Sequence, residues 1–128
     1  WTGKYHDGAV AGNKLFEIVI FADQKGVPGK AIHVETVKAG GLDTGVSDIG
    51  KHKLLSYKTT LKRSPRLDMN RIYWLTIRES DPTTTSRWSW SFHNGNIAGG
   101  FSYRLGMQKA WSVGSRDMAY ALTVSSTD

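Results

Sequence analysis

Apolar residues recur at every second position along most of this chain, and no segment sustains the three-to-four spacing of a helix. Leu15-Phe-Glu-Ile-Val-Ile-Phe-Ala22 is short, β-branched and aromatic, with Phe16, Ile18 and Ile20 on one face and Glu17 on the other, and it predicts a strand. In Asp23-Gln-Lys-Gly-Val-Pro-Gly29 the glycines admit positive φ and the proline fixes its own, so the chain turns. Ala31 to Lys38 alternates Ile32 and Val34 against His33 and Glu35, a half-buried strand that breaks at Gly40-Gly41, and a long polar loop runs on to Lys51. His52 to Lys62 carries Leu55, Tyr57 and Leu61 at period two, and Arg71 to Glu79 repeats the pattern with Tyr73, Leu75 and Ile77; Ser64-Pro65 separates the two. After the connector Asp81-Pro-Thr-Thr-Thr-Ser86, Trp88, Trp90 and Phe92 project to one face of Arg87–Phe92. His93 to Gly100 is rich in glycine and asparagine, and short strands are predicted at Phe101–Leu105, Ala110–Val113 and Met118–Val124.

About seven to nine short strands with turn signals between them imply an all-β antiparallel β-sandwich, jelly-roll-like, in which two sheets pack face to face. A length of 128 residues fits one binding domain spanning residues 1–128, with no linker or internal repeat. Cysteine is absent, which excludes disulfides and thiolate metal sites, and the four histidines have no zinc-type spacing. The longest apolar run, Ile18–Ala22, is far short of the roughly 20 residues that span a bilayer, so a soluble domain with no membrane partner is expected. The start at Trp1, already strand-like, fits a mature or excised piece of a larger multidomain protein, monomeric within it.

Five segments, Trp1-Thr-Gly-Lys-Tyr5, Phe16 to Gly29, Tyr73-Trp-Leu-Thr-Ile77, Trp88-Ser-Trp90 and Met118-Ala-Tyr-Ala-Leu122, in this order, resemble the β-sandwich accessory modules of bacterial secreted multidomain proteins. Such modules accompany polysaccharide-degrading enzymes or cell-surface anchors. The resemblance implies a secreted or cell-surface location, a jelly-roll-like fold and, for enzyme-appended members, carbohydrate binding; it brings no catalytic residue. The polar stretch from His93 to Trp111 departs from the pattern.

No sequence signature of catalysis is present: no Gly-x-Ser-x-Gly elbow, no His-Glu-x-x-His and no phosphate-cradling glycine loop ahead of a helix. Tyr103, Arg104 and His93 are the residue types a small lyase would use, a minor alternative to a non-enzymatic role. Sugar recognition by a sandwich uses exposed rings that stack on the apolar face of a pyranose, flanked by amides and charges. Five Trp and five Tyr supply the rings, and a net charge of +6 favours an anionic partner. Trp74 shares its strand face with Thr76 and Arg78 rather than with Leu75 and Ile77, so it is expected to point outward as a stacking platform. Trp88 and Trp90, aligned with Phe92, read mainly as core.

The expected ligand-binding set is Trp74, Arg78, Arg87, His93, Asn94, Asn96, Tyr103, Arg104, Lys109 and Trp111. Its guanidinium groups suit the carboxylates or sulfates of an acidic polysaccharide, of alginate, algal galactan or glycosaminoglycan type. Surface adhesion or protein interaction is the alternative. Single-stranded nucleic acid ranks third and is not expected, because no RNP-type aromatic signature is present. No cofactor is expected beyond one structural calcium, for which Asp23 and its neighbouring loop carbonyls are the candidate ligands.

Overall fold

The computed structural model describes residues 1–5, 12–48 and 50–80 in full, together with the strand backbones of 88–90, 101–103 and 112–114. The described residues contain no helix. They form nine strands: β1 (Thr2–Tyr5), β2 (Lys14–Gln24), β3 (Val27–Ala39), β4 (Leu42–Ser47), β5 (Lys53–Ser56), β6 (Tyr73–Glu79), β7 (Trp88–Trp90), β8 (Phe101–Tyr103) and β9 (Ser112–Gly114). All pairings are antiparallel. One sheet has the order β4-β5-β1-β7, a second has the order β3-β2-β6, and β8 pairs with β9.

The alternation in β2 places Phe16, Ile18 and Ile20 inward, and β6 sets Ile77 and Leu75 opposite Ile18 and Ile20. Tyr5 from β1, Leu55 from β5 and Tyr57 just beyond it join Phe16, Ile18, Val37, Ala39 and Ile77 in one buried cluster, so the two larger sheets share a core. Phe16 is 0% exposed. Its ring lies edge-on to Trp1 at 5.3 Å and to Tyr57 at 5.0 Å, while Trp1 and Tyr57 stack at 5.4 Å. Backbone hydrogen bonds run both ways between Trp1 and Tyr57, at 2.8 and 2.9 Å, and hold the stacked pair over Phe16.

The turn between β2 and β3 is tighter than the predicted seven-residue span. Gln24 pairs with Val27 across only Lys25 and Gly26, with φ of +54° and +87°. Two positive φ values define the type I′ geometry whose twist matches a hairpin. Pro28 lies within β3, which is an edge strand and needs no ladder donor there. A Cβ on Gly29 would stand 2.8 Å from Gln24 Cβ, so the second register shift requires glycine.

Three sequence expectations are corrected. In β3 it is His33 and Glu35 that are buried, whereas Ile32 and Val34 are exposed. The register accounts for it: Phe16 pairs with Val37, Ile18 with Glu35 and Ile20 with His33 without a shift, so His33 and Glu35 share the inward face with Val37 and Ala39, and the bulge at Ile32 lies beyond them. Burial of Glu35 is tolerated because its carboxylate accepts the backbone N–H groups of Lys62 at 2.6 Å and Arg63 at 3.2 Å, and lies 3.3 Å from His33 Nε2. The expected polar loop before Lys51 contains β4, a wholly exposed edge strand pinned by Asp43–Lys53 at 3.2 Å and by Thr44 Oγ1 donating to Leu54 O at 2.8 Å. The strand expected over His52–Lys62 ends at Ser56, although Leu61 still packs on the core from the following loop.

Phe16→Ala is expected to lower unfolding free energy by about 3–5 kcal/mol. Leu15→Ala, one residue away on the exposed face, should change it by about 0.5 kcal/mol. Denaturant titration of both variants checks the assignment of faces.

Candidate functional site

The outward face of the β3-β2-β6 sheet gathers the described residues best suited to meet a ligand. Alternation along β6 puts Trp74, Thr76 and Arg78 there, and the register sets them opposite Phe21, Val19 and Glu17 of β2. Trp74 is half-buried, and its Nε1–H donates to Asp23 Oδ1 at 2.7 Å. Asp23 Oδ2 accepts Gly26 N–H at 3.3 Å, so one carboxylate ties the indole to the hairpin turn. Arg78 donates through Nε and Nη2 to Glu17 Oε1, both at 2.8 Å, with 57% of its side chain exposed. A fixed ring, a threonine and a braced guanidinium therefore run in a row about two residues apart, roughly 7 Å per step.

The structure agrees with an outward Trp74 and adds what fixes it. Tyr73, Leu75 and Ile77 face the other way; Tyr73 also accepts Asp68 N–H at 3.0 Å through its hydroxyl. Phe21, Glu17 and Asp23 complete the face, a grouping that only the strand register reveals. Asp23, the expected calcium ligand, engages Trp74 and Gly26 through its carboxylate. Arg87, His93, Asn94, Asn96, Arg104, Lys109 and Trp111 lie outside the described residues, as does the strand expected over Met118–Val124. Tyr103 is described only as backbone in β8, and Trp88 and Trp90 only as backbone in β7.

Two polar clusters were not foreseen. At the turn joining β4 and β5, Asp48 takes the Lys4 ammonium on Oδ2, and on Oδ1 it accepts His52 N–H at 2.8 Å with His52 Nδ1 at 3.1 Å. The Lys4 hydrogen bond, then the His52 backbone, holds the Asp48 carboxyl far below the ordinary carboxylate range. In the interior, burial first, then the neighbouring Tyr57 and Glu79, drives the Tyr5 phenol well above its usual value. Glu35 is held below its ordinary value, chiefly by the Lys62 backbone N–H, against the opposing effect of burial. The Lys4–Asp48–His52 group has the elements of an acid–base triad but contains no nucleophile, and its carboxylate is saturated with donors, which suits a turn staple.

The chain is thus an all-β protein of antiparallel sheets with an aromatic and charged outer face. No protein-family model, no curated protein and no solved structure matches it.

Asp48→Asn is expected to lower the melting temperature at neutral pH. A carboxyl whose folded pKa lies below its unfolded one stabilises fully above the unfolded value, about 3.9, and loses that contribution as pH falls through the folded value. The gap between wild type and variant should therefore hold from pH 7 to about 5 and shrink only below about 4. Melting curves across that range check it.

Proposed function

We propose that this chain is a non-catalytic binding domain whose β3-β2-β6 outer face binds polysaccharide, with preference for acidic or sulfated glycans. The two sheets sharing one core form its scaffold, a jelly-roll-like β-sandwich. The domain works secreted or at the cell surface, holding an attached enzyme on its substrate.

One observation carries this reading: Trp74, set outward and pinned by Asp23, stands in line with the exposed, braced guanidinium of Arg78. An indole fixed before the ligand arrives loses little rotamer freedom on stacking, so more of the contact energy appears as affinity. With Nε and Nη2 turned to Glu17, the remaining Arg78 donors are available to a sulfate or carboxylate lying beside the stacked sugar. A protein-interaction reading draws on a different feature of the same face, the exposed Leu15, Ile32 and Val34.

Affinity electrophoresis in alginate, sulfated galactan and neutral glucan gels tests the proposal. Retardation is expected in the acidic gels. Trp74→Ala should abolish it while the protein still melts cooperatively, Asp23→Ala should weaken it by releasing the ring, and Arg78→Gln should weaken retardation in the acidic gels alone. Retardation of Trp74→Ala equal to that of wild type sinks this site, and retardation in neutral gels only sinks the acidic preference. No retardation in any gel leaves the protein-interaction reading as the better one.

A further inference from the structure

We propose that the loop over residues 62–72 is a docking surface for an anionic lipid bilayer, with Met69, Ile72 and Leu67 entering the interface and flanking cations meeting the headgroups. The loop borders the Trp74 face at Ile72, whose carbonyl accepts Asp23 N–H, but its apolar tips and cations are not those of the polysaccharide reading, on which it does not depend.

Met69 is 99% exposed, Ile72 68% and Leu67 40%. Met69 sits at the tip of a turn closed by Arg71 N–H on Asp68 O at 3.3 Å, a position where glycine, asparagine or proline is usual and an unbranched apolar side chain gains nothing from the fold. Lys62, Arg63, Arg66 and Arg71 stand in the same loop against the single acid Asp68. Lys62 and Arg66 make no side-chain ion pair among the described residues. The end of the sheet adds to this charge: Asp23 N–H donates to Ile72 O at 3.3 Å, which places the β2–β3 turn with its exposed Lys25 beside Ile72.

The loop is also anchored. Glu35 accepts the N–H groups of Lys62 and Arg63, Arg63 Nη2 donates to Val34 O at 2.7 Å, and Asp68 N–H donates to the Tyr73 hydroxyl. A surface held in this way meets its partner without an ordering cost. Apolar tips ringed by cations are the complement of a bilayer whose headgroups are negative and whose interior is hydrocarbon. Aliphatic and thioether side chains without rings suit acyl chains better than sugars, which stack on aromatic planes. The expectation of no membrane partner rested on the lack of a spanning segment, and binding in the interface plane needs none.

Flotation of the full chain with phosphatidylcholine vesicles, with and without phosphatidylserine, tests the proposal. Binding is expected to phosphatidylserine vesicles and to fall with added salt. Met69→Asp and Ile72→Asp should each reduce partitioning about tenfold or more, by loss of apolar immersion and added charge repulsion. Arg66→Gln should weaken binding more modestly, by the roughly 1 kcal/mol, or about fivefold, that one cation contributes near such a surface. Unchanged melting curves establish that these exposed substitutions leave the fold intact, and Trp74→Ala should bind vesicles as wild type does. Failure to bind phosphatidylserine vesicles overturns the proposal. So does equal binding by Met69→Asp and wild type, or retention on a soluble sulfated polysaccharide that the loop variants weaken while vesicles are ignored.

Discussion

Phe16 sits where the two larger sheets meet, and its burial conditions nearly everything else. It belongs to β2, the central strand of its sheet, so its backbone is paired on both sides with Val37 and Glu79 while its ring is enclosed by Trp1 and Tyr57 from the other layer. A ring edge-on to two others gains quadrupole complementarity as well as area. Because Trp1 and Tyr57 are also joined through their backbones, the contact fixes where β1 and the end of β5 lie relative to β2. With that distance set, Ile18 and Ile20 must face the core, and Val19, Phe21 and Trp74 must face outward.

The outer face is therefore a consequence of the inner one. Period-two geometry makes any residue that neighbours a buried one along the strand an outward residue, and β6 reads its orientation from β2 through the register. This is why Trp74 was legible in the sequence. Leu75 and Ile77 declare the inward face, and Trp74, Thr76 and Arg78 follow by parity. The same rule, read from Ile32 and Val34, picks the wrong face of β3, because Val37 and Ala39, of the opposite parity, are the residues the register sets inward, and His33 and Glu35 go with them. It also missed β4, whose six residues are all exposed and so show no alternation to read.

Contacts between distant residues were the least legible. Lys4 and Asp48 lie 44 positions apart, Trp74 and Asp23 51 apart, and neither pairing leaves a trace in local spacing. The charge count was correct yet uninformative, since it could not separate cations already matched, such as Arg78 with Glu17, from Lys62 and Arg66. Local spacing puts the acid Glu35 on the polar side of its strand, because charged residues are rarely buried. The backbone N–H groups of Lys62 and Arg63 reverse that expectation, since a buried carboxylate with two amide donors is satisfied.

Among the described residues, the exposed apolar side chains of strands, Leu42 and Val46 of β4 included, differ from those of the 62–72 loop, and the difference bears on function. Leu15, Ile32 and Val34 are partly covered members of a strand surface, flanking the buried Val19, and partial exposure of that sort is ordinary at the rim of a sheet. Met69 has no such explanation. It stands at a turn tip and contributes no burial, and an apolar group there is carried at some risk of aggregation. The fold would be served as well by a polar residue at that point. A loop that holds its shape through Glu35, Arg63 and Tyr73 while offering Met69 and Ile72 to solvent among cations has the arrangement of a contact surface, and stability alone does not account for it.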